Sequence, residues 1–145
     1  MTREDATAWA LSRLNTAFYH HYDRRQHDAV LGFFTSDAVY ELRGLRMQGH
    51  TEILDGLNAR PGPEQTIRHI IGAAHFHTLG DTTAQGIITV LGYGGITPTE
   101  PGPAPYTMES GGHIFELVDH YRLEKGRWRI SHRTGRQILT PTHAG

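Results

Sequence analysis

The chain has 145 residues and a formal net charge of -1, which fits one domain, 1–145, with a single core. It lacks cysteine, which excludes disulfides and thiolate metal sites and is consistent with an expected cytoplasmic location. No apolar run is long enough to span a bilayer and no secretory signal is apparent, so no membrane association is expected. Basic residues are too dispersed to predict nucleic-acid binding.

Helices are predicted in the first part of the chain, over 5–22, 28–34 and 52–58. The second would be capped by Asp28 and the third by Thr51. Along the first, apolar residues recur at spacings of three and four, which is the pattern of an amphipathic helix. These residues are Leu11, Leu14, Phe18 and Tyr22.

The remainder of the chain is predicted to form strands, with a turn at Ser36–Asp37 and a Pro- and Gly-rich loop over 94–106. Helices followed by long strands predict an α+β fold, in which one curved antiparallel sheet wraps around the N-terminal helices. Such a cone encloses a cavity that suits a small-molecule substrate. The predicted strands cover 38–42, 45–48, 66–78, 83–93, 109–123 and 127–139.

Asp23 and His69 are the first candidate catalytic pair. Asp23 follows the apolar face of the first helix, and His69 lies among isoleucines on a strand predicted to be buried. A carboxylate on one ring nitrogen of a histidine would leave the other nitrogen free to act as a base. Spacing alone leaves a second interpretation open, in which Asp23 is a solvated connector and His69 an ordinary core histidine.

Tyr40 and Tyr22 are candidates to donate a hydrogen bond to a substrate oxygen, although ordinary aromatic packing would also explain them. Further cavity candidates lie on the apolar helix face and on the last two strands, where an interface or sheet-end role is equally open. They are Phe18, Asp119, Tyr121 and His132. His75 and His77 share a strand face, but no third ligand follows at a telling spacing, so no metal site is predicted.

Taken together, these residues resemble the SnoaL-like branch of the nuclear-transport-factor-like superfamily, which includes scytalone dehydratase, lindane dehydrochlorinase, bile-acid dehydratase and polyketide cyclases. The resemblance extends from about Trp9 to Leu139, and the order and spacing of its segments make it specific. Those segments are Tyr22–Asp28 followed by Phe33–Tyr40, then Gly49–Ile53, Thr66–Gly72 and Gly111–Ile130.

The resemblance implies a cone-shaped α+β barrel without a cofactor, assembled as a homo-oligomer (dimer or trimer). Asp23 and His69 match the family's proton-abstracting pair, and Tyr40 and Tyr22 match tyrosines that orient a carbonyl or activate water. Two departures are visible. Tyr93 falls near the position of a further histidine in scytalone dehydratase, and the loop from 98 to 105 has no counterpart.

Two functions follow from this interpretation. The first is a cofactor-independent lyase or isomerase that abstracts a carbon-bound proton from a small, cyclic, mostly apolar substrate. Dehydration, elimination, isomerisation and cyclisation all share that step. The second is a non-catalytic ligand-binding or structural subunit of the same fold, since a fold alone does not define an activity.

Overall fold

The computed structural model describes residues 1–109 and 112–142, which form three helices and six strands. The helices are α1 (Arg3–Asp23), α2 (His27–Leu31) and α3 (Gly49–Asn58). The strands are β1 (Phe34–Leu42), β2 (Leu45–Gln48), β3 (Gln65–His77), β4 (Thr83–Ile96), β5 (His113–Glu124) and β6 (Arg127–Leu139).

All six strands belong to one sheet, in the order β2-β1-β6-β5-β4-β3. Neighbouring strands are antiparallel except β1 and β6, which run parallel and join the N-terminal hairpin to the long C-terminal strands. Register shifts between Ile71 and Ala74 in β3, and between His120 and Tyr121 in β5, mark irregularities that help the sheet to bend. The predicted α+β fold, a curved sheet around N-terminal helices, is confirmed.

Helix α1 forms the inner wall of the cone. Thr2 accepts a hydrogen bond from the backbone N–H of Asp5, whose side chain accepts one from Thr2 in return, so the helix begins two residues earlier than predicted. The predicted apolar face is buried against the sheet, with Leu11 and Phe18 fully enclosed. α1 is the longest described helix and is too polar to span a bilayer, and the other two are too short.

The segment from Phe34 to Asp37 was predicted as a helix end and a turn, and that prediction is wrong. It forms the start of β1, because Phe34 pairs with Ile130 of β6 and is buried in the core. Tertiary pairing therefore overrides the local turn signal of Ser36–Asp37. The two predicted helix caps are also wrong, since Gln26 and Gln48 occupy the N-cap positions of α2 and α3.

The long strands agree with the sequence prediction to within three residues at most ends. β6 has the predicted bounds, whereas β4 continues to Ile96 and so shortens the Pro-rich loop. The predicted start of the fifth strand at Glu109 is wrong because β5 begins at His113. Ser110 and Gly111 of that prediction lie outside the described residues.

Candidate active site

Asp23 and His69 are in direct contact, although 46 positions separate them in the sequence. The last residue of α1, Asp23, faces β3, where its Oδ2 accepts the backbone N–H of His69 at 2.8 Å. Its Oδ1 lies 2.5 Å from Nδ1 of the same residue. The two side chains are only 4% and 10% exposed. This double contact fixes the imidazole in position and, with the proton on Nδ1, leaves Nε2 free to accept one.

The His69 ring borders a cavity of about 770 Å³ between α1, α3 and the concave face of the sheet. Aromatic and aliphatic side chains form much of its wall, which suits the body of an apolar ring compound. Asp23 stands behind the histidine and does not line the cavity. The apolar and aromatic lining residues include Tyr19, Tyr22, Tyr40, Met47, Leu57, Ile67, Tyr93 and Phe115.

Three buried tyrosines lie on the cavity wall around the pair. Tyr19 and Tyr22 place their ring centroids 4.6 and 5.5 Å from that of His69. Burial, reinforced by the other two hydroxyls, raises the pKa of Tyr40 well above its ordinary value. Burial likewise raises the pKa of Tyr19. These two hydroxyls therefore remain protonated at neutral pH, which is the state in which a tyrosine donates a hydrogen bond.

Tyr19 was missed in the sequence, although a signal for it exists. It precedes Asp23 by four residues, so the two side chains project from the same face of α1, one turn apart. A helix that directs its final acid toward the sheet must also direct that tyrosine there. The apolar spacing of three and four along α1 includes Tyr22 and passes over Tyr19.

Gly92 opens space beside the base. It pairs with His69 on one side and with His113 on the other, so three strands place two histidines in one row. A Cβ at Gly92 would lie 3.3–3.4 Å from the His69 ring, which is closer than most such contacts. Both histidines line the cavity. His113 was not singled out in the sequence.

Charged side chains line the same cavity, and none of them was identified from the sequence. Arg43, Arg60 and Arg136 come from three different segments, and Glu109 is the one lining carboxylate among the described residues. The Arg60 guanidinium lies 3.8 Å from the ring centroid of Tyr22, in a cation–π contact. Single arginines in loops and at strand ends carry no sequence pattern, which explains the omission.

Asp119 and Tyr121 were predicted to line the cavity, and the structure places them elsewhere. Both belong to a sealed network beneath α1, in which Arg133 donates to Asp119 at 2.8 Å and Tyr121 donates to it at 2.5 Å. Asn15 completes the network by donating to the Tyr121 hydroxyl at 3.0 Å and accepting from Arg133. Asp119 and Tyr121 do point inward from β5, as the strand alternation predicts. At these positions the inward face packs against α1, so no cavity remains.

Phe18 and His132 also lie away from the cavity. Phe18 is fully buried, with the Arg133 guanidinium 4.6 Å from its ring, so it belongs to the core. Because Arg133 points inward, His132 beside it points to the outer sheet face, where its Nε2 lies 2.9 Å from Glu41. Of the predicted site residues, the structure brings together Asp23, His69, Tyr22 and Tyr40.

The two strand histidines, His75 and His77, stack with centroids 5.4 Å apart, without a third ligand among residues 1–109 and 112–142.

This geometry defines an α+β cone with a buried acid–histidine pair, and solved structures share its fold. Hexachlorocyclohexane dehydrochlorinase LinA-type3 from Novosphingobium barchaimii LL02 is 20% identical, with 96% of this chain and 92% of that one covered and a TM-score of 0.75. An NTF2-like family protein from Streptomyces avermitilis is 15% identical, with coverages of 94% and 99% and a TM-score of 0.79. Aln2 from a Streptomyces species is 15% identical, with coverages of 91% and 90% and a TM-score of 0.71.

The family follows from the sequence itself. The model of the SnoaL-like domain matches residues 4–134, so the chain belongs to the SnoaL-like family. Among curated proteins, no sequence matches this chain. The resemblance inferred from the segments around Asp23, His69 and the closing hairpin is thereby confirmed.

Proposed function

We propose that this SnoaL-like protein is a cofactor-independent lyase or isomerase that removes a carbon-bound proton from a small cyclic substrate. The observation that carries the proposal is the Asp23–His69 contact at the cavity wall. In the reaction, Nε2 of His69 takes the proton, and the Asp23 carboxylate stabilises the imidazolium that forms. General-base catalysis of this kind supplies about 10²–10⁴-fold.

Tyr40 is proposed to stabilise the negative charge that develops on the substrate oxygen. Its raised pKa keeps the proton on the hydroxyl, so it acts as a donor and not as a competing base. Tyr22, stacked beneath Arg60 and next to the His69 ring, would orient the substrate carbonyl between base and donor. For proton removal next to a carbonyl, the base and the hydrogen-bond donor must contact the bound substrate at the same time.

The position of His113 favours an elimination, such as dehydration, over isomerisation and cyclisation. In the row His69–Gly92–His113, two strand spacings put the histidine backbones about 10 Å apart, a gap that a small ring can bridge. A base at one end and a proton donor at the other suit the loss of water from neighbouring carbons. Tyr93 occupies the position expected for a second histidine, and His113 on the next strand would take that role.

Deuterium exchange tests the proposal without a guess about the later steps. Purified protein in D₂O is incubated with a panel of small cyclic ketones and hydroxy-ketones, and exchange at the carbon next to the carbonyl is followed by NMR. The wild-type protein should accelerate exchange for at least one ketone. His69→Ala should abolish that acceleration, whereas His75→Ala, on the outer sheet face, should retain it. Equal exchange in the wild type and His69→Ala would contradict the assignment.

The second candidate is a non-catalytic ligand-binding or structural subunit. A closed, filled cone would favour it, and the cavity of about 770 Å³ does not. A purely structural subunit also has no use for a carboxylate and an imidazole held together at the cavity wall. Ligand binding without exchange in any member of the panel would favour this second function.

A further inference from the structure

Three arginines line the cavity, in a chain whose overall net charge is -1. Arg43 lies in the turn between β1 and β2, Arg60 follows α3, and Arg136 lies near the end of β6. Since Glu41 of β1 pairs with Thr134 of β6, Arg43 and Arg136 each lie two residues further along the same ladder. Arg43, in the turn after β1, and Arg136, in β6, therefore lie beyond the same end of the β1–β6 ladder.

None of these guanidinium groups is neutralised within the described residues. Across residues 1–109 and 112–142, the ion pairs involve other arginines, and no carboxylate lies within 4.0 Å of any of the three. Glu109 is the only acid that shares the described cavity lining with them. A cavity opening with this excess of positive charge attracts an anion and speeds its arrival.

Arg60 is oriented for a planar anion. Its guanidinium stacks 3.8 Å from the centre of the Tyr22 ring, so the flat face is occupied and the N–H edges remain available. An arginine held in this way loses little entropy when it forms two parallel hydrogen bonds with a carboxylate. The stacking partner, Tyr22, also borders His69, so an anion bound by Arg60 would belong to the molecule that reaches the base.

We infer that the substrate carries a carboxylate, which the arginines at the cavity opening bind while the apolar ring lies against His69. The part of this inference that places the substrate ring at His69 rests on the proposed function. The arginines would bind a carboxylate whether or not the protein catalyses the reaction. The substrate class is a cyclic keto acid whose carboxylate binds the arginines while its acidic C–H lies against His69.

A matched pair of ligands tests the inference: 4-oxocyclohexanecarboxylate and its neutral methyl ester. Dissociation constants are measured by NMR titration of labelled protein at low ionic strength. The acid should bind about tenfold more tightly than the ester, as expected for one charged hydrogen-bonded contact. Added salt should reduce the difference in affinity between the acid and the ester, because the cavity opening is exposed to solvent.

Arg60→Gln should remove most of the preference and leave the affinity for the ester within about twofold, since only the charged contact is lost. Arg136→Gln should reduce the preference in the same direction. Arg127→Gln is the control, because Arg127 is an exposed arginine at the start of β6 that does not line the cavity. Equal affinity for acid and ester, no binding of either, or an equal loss in the Arg127 variant would each overturn the inference.

Failure of the proposed function is distinguishable from failure of this inference. If His69→Ala binds the acid selectively and the wild type catalyses no exchange, the anion site stands and the lyase assignment fails. If the wild type catalyses exchange of both compounds but binds them equally, the lyase assignment stands and the carboxylate inference fails.

Discussion

Two buried polar pairs lie where α1 meets the sheet, and their surroundings differ. Asp23 and His69 meet at the wall of an open cavity, whereas Asp119 and Arg133 meet in the core with side chains that are 0% exposed. Both pairs join an acid to a nitrogen base by short hydrogen bonds. Only the first has a ring nitrogen beside free space, so only the first can exchange a proton with a bound molecule.

An ionisable residue on an apolar strand face is therefore not by itself a functional site. Asp119 satisfies this description as well as His69 does, yet its oxygens are occupied by Arg133 and Tyr121. Burial opposes the charge on Arg133, but the adjacent Asp119 outweighs it and raises the arginine's pKa. A base strong enough to stay charged, with its acid fully bonded, holds structure together. The Arg133 guanidinium keeps its protons at neutral pH, so this pair takes no part in proton transfer.

Asp23→Asn should produce the largest effect on the cavity pair. Asparagine keeps the shape of the side chain but removes the charge that orients and stabilises the His69 imidazolium. Ketone exchange should fall by about 10²–10⁴-fold, and the urea midpoint should change little, because one backbone hydrogen bond to the side chain can persist. A variant with unchanged exchange would show that the contact is only structural.

Arg133→Met should instead reduce the stability of the fold. It leaves the Asp119 carboxylate buried without its partner, so unfolding free energy should fall by about 3–5 kcal/mol. Arg122→Met is the matched control, since Arg122 pairs with Asp37 at the surface and its loss should cost about 1 kcal/mol or less. Both are measured by urea denaturation. Asp119→Leu combined with Arg133→Met should recover part of the loss, and a double variant no better than the single would contradict this account.

Tyr40→Phe should reduce ketone exchange, but by less than the largest loss expected for Asp23→Asn. Removing the hydroxyl eliminates one donor to the developing oxyanion and leaves the aromatic packing intact, so the maximal exchange rate should fall by about 10²-fold. Ketone affinity, measured by NMR titration, should change much less. If affinity fell and the maximal rate did not, Tyr40 would serve binding and not transition-state stabilisation.

The helices and the long strands could be predicted because each has a periodic signature, whereas the prediction of the Asp23–His69 pair depended on the family resemblance. The apolar stripe of α1 ends at Tyr22, directly before Asp23. The prediction that the strand of His69 is buried is wrong, because β3 is the edge strand of the sheet and Ile70 is 54% exposed.

The sequence could not predict which inward-facing acid would meet the cavity. Whether an inward-facing acid meets the cavity depends on where α1 covers the sheet. Asp119 is covered, because Asn15 on α1 bonds to Tyr121 and Arg133 and so completes the sealed network. The places of Arg43, Arg60 and Arg136 at the cavity depend on how the β1–β2 turn, the segment after α3 and β6 come together, which single positions in the sequence do not encode.

Alkaline stability should reveal the smallest difference between the two regions. Burial raises the pKa of Tyr40 at the cavity and of Tyr121 in the sealed network. Below the unfolded value of about 10, both states keep these protons and stability is unaffected. Above it the unfolded chain loses protons first, so stability falls as pH rises, by about 0.8 kcal/mol per tyrosine at about pH 10.5.

Tyr40→Phe and Tyr121→Phe should therefore each reduce the loss of stability between about pH 8.5 and 10.5 by a similar amount, measured from urea midpoints and slopes. Tyr40 is the informative case because it borders the cavity and yet is only 3% exposed. If cavity water hydrated its phenolate, Tyr40→Phe would leave the pH dependence unchanged and only Tyr121→Phe would reduce it. Equal reductions would show that the cavity wall around the proposed oxyanion donor is as dry as the core.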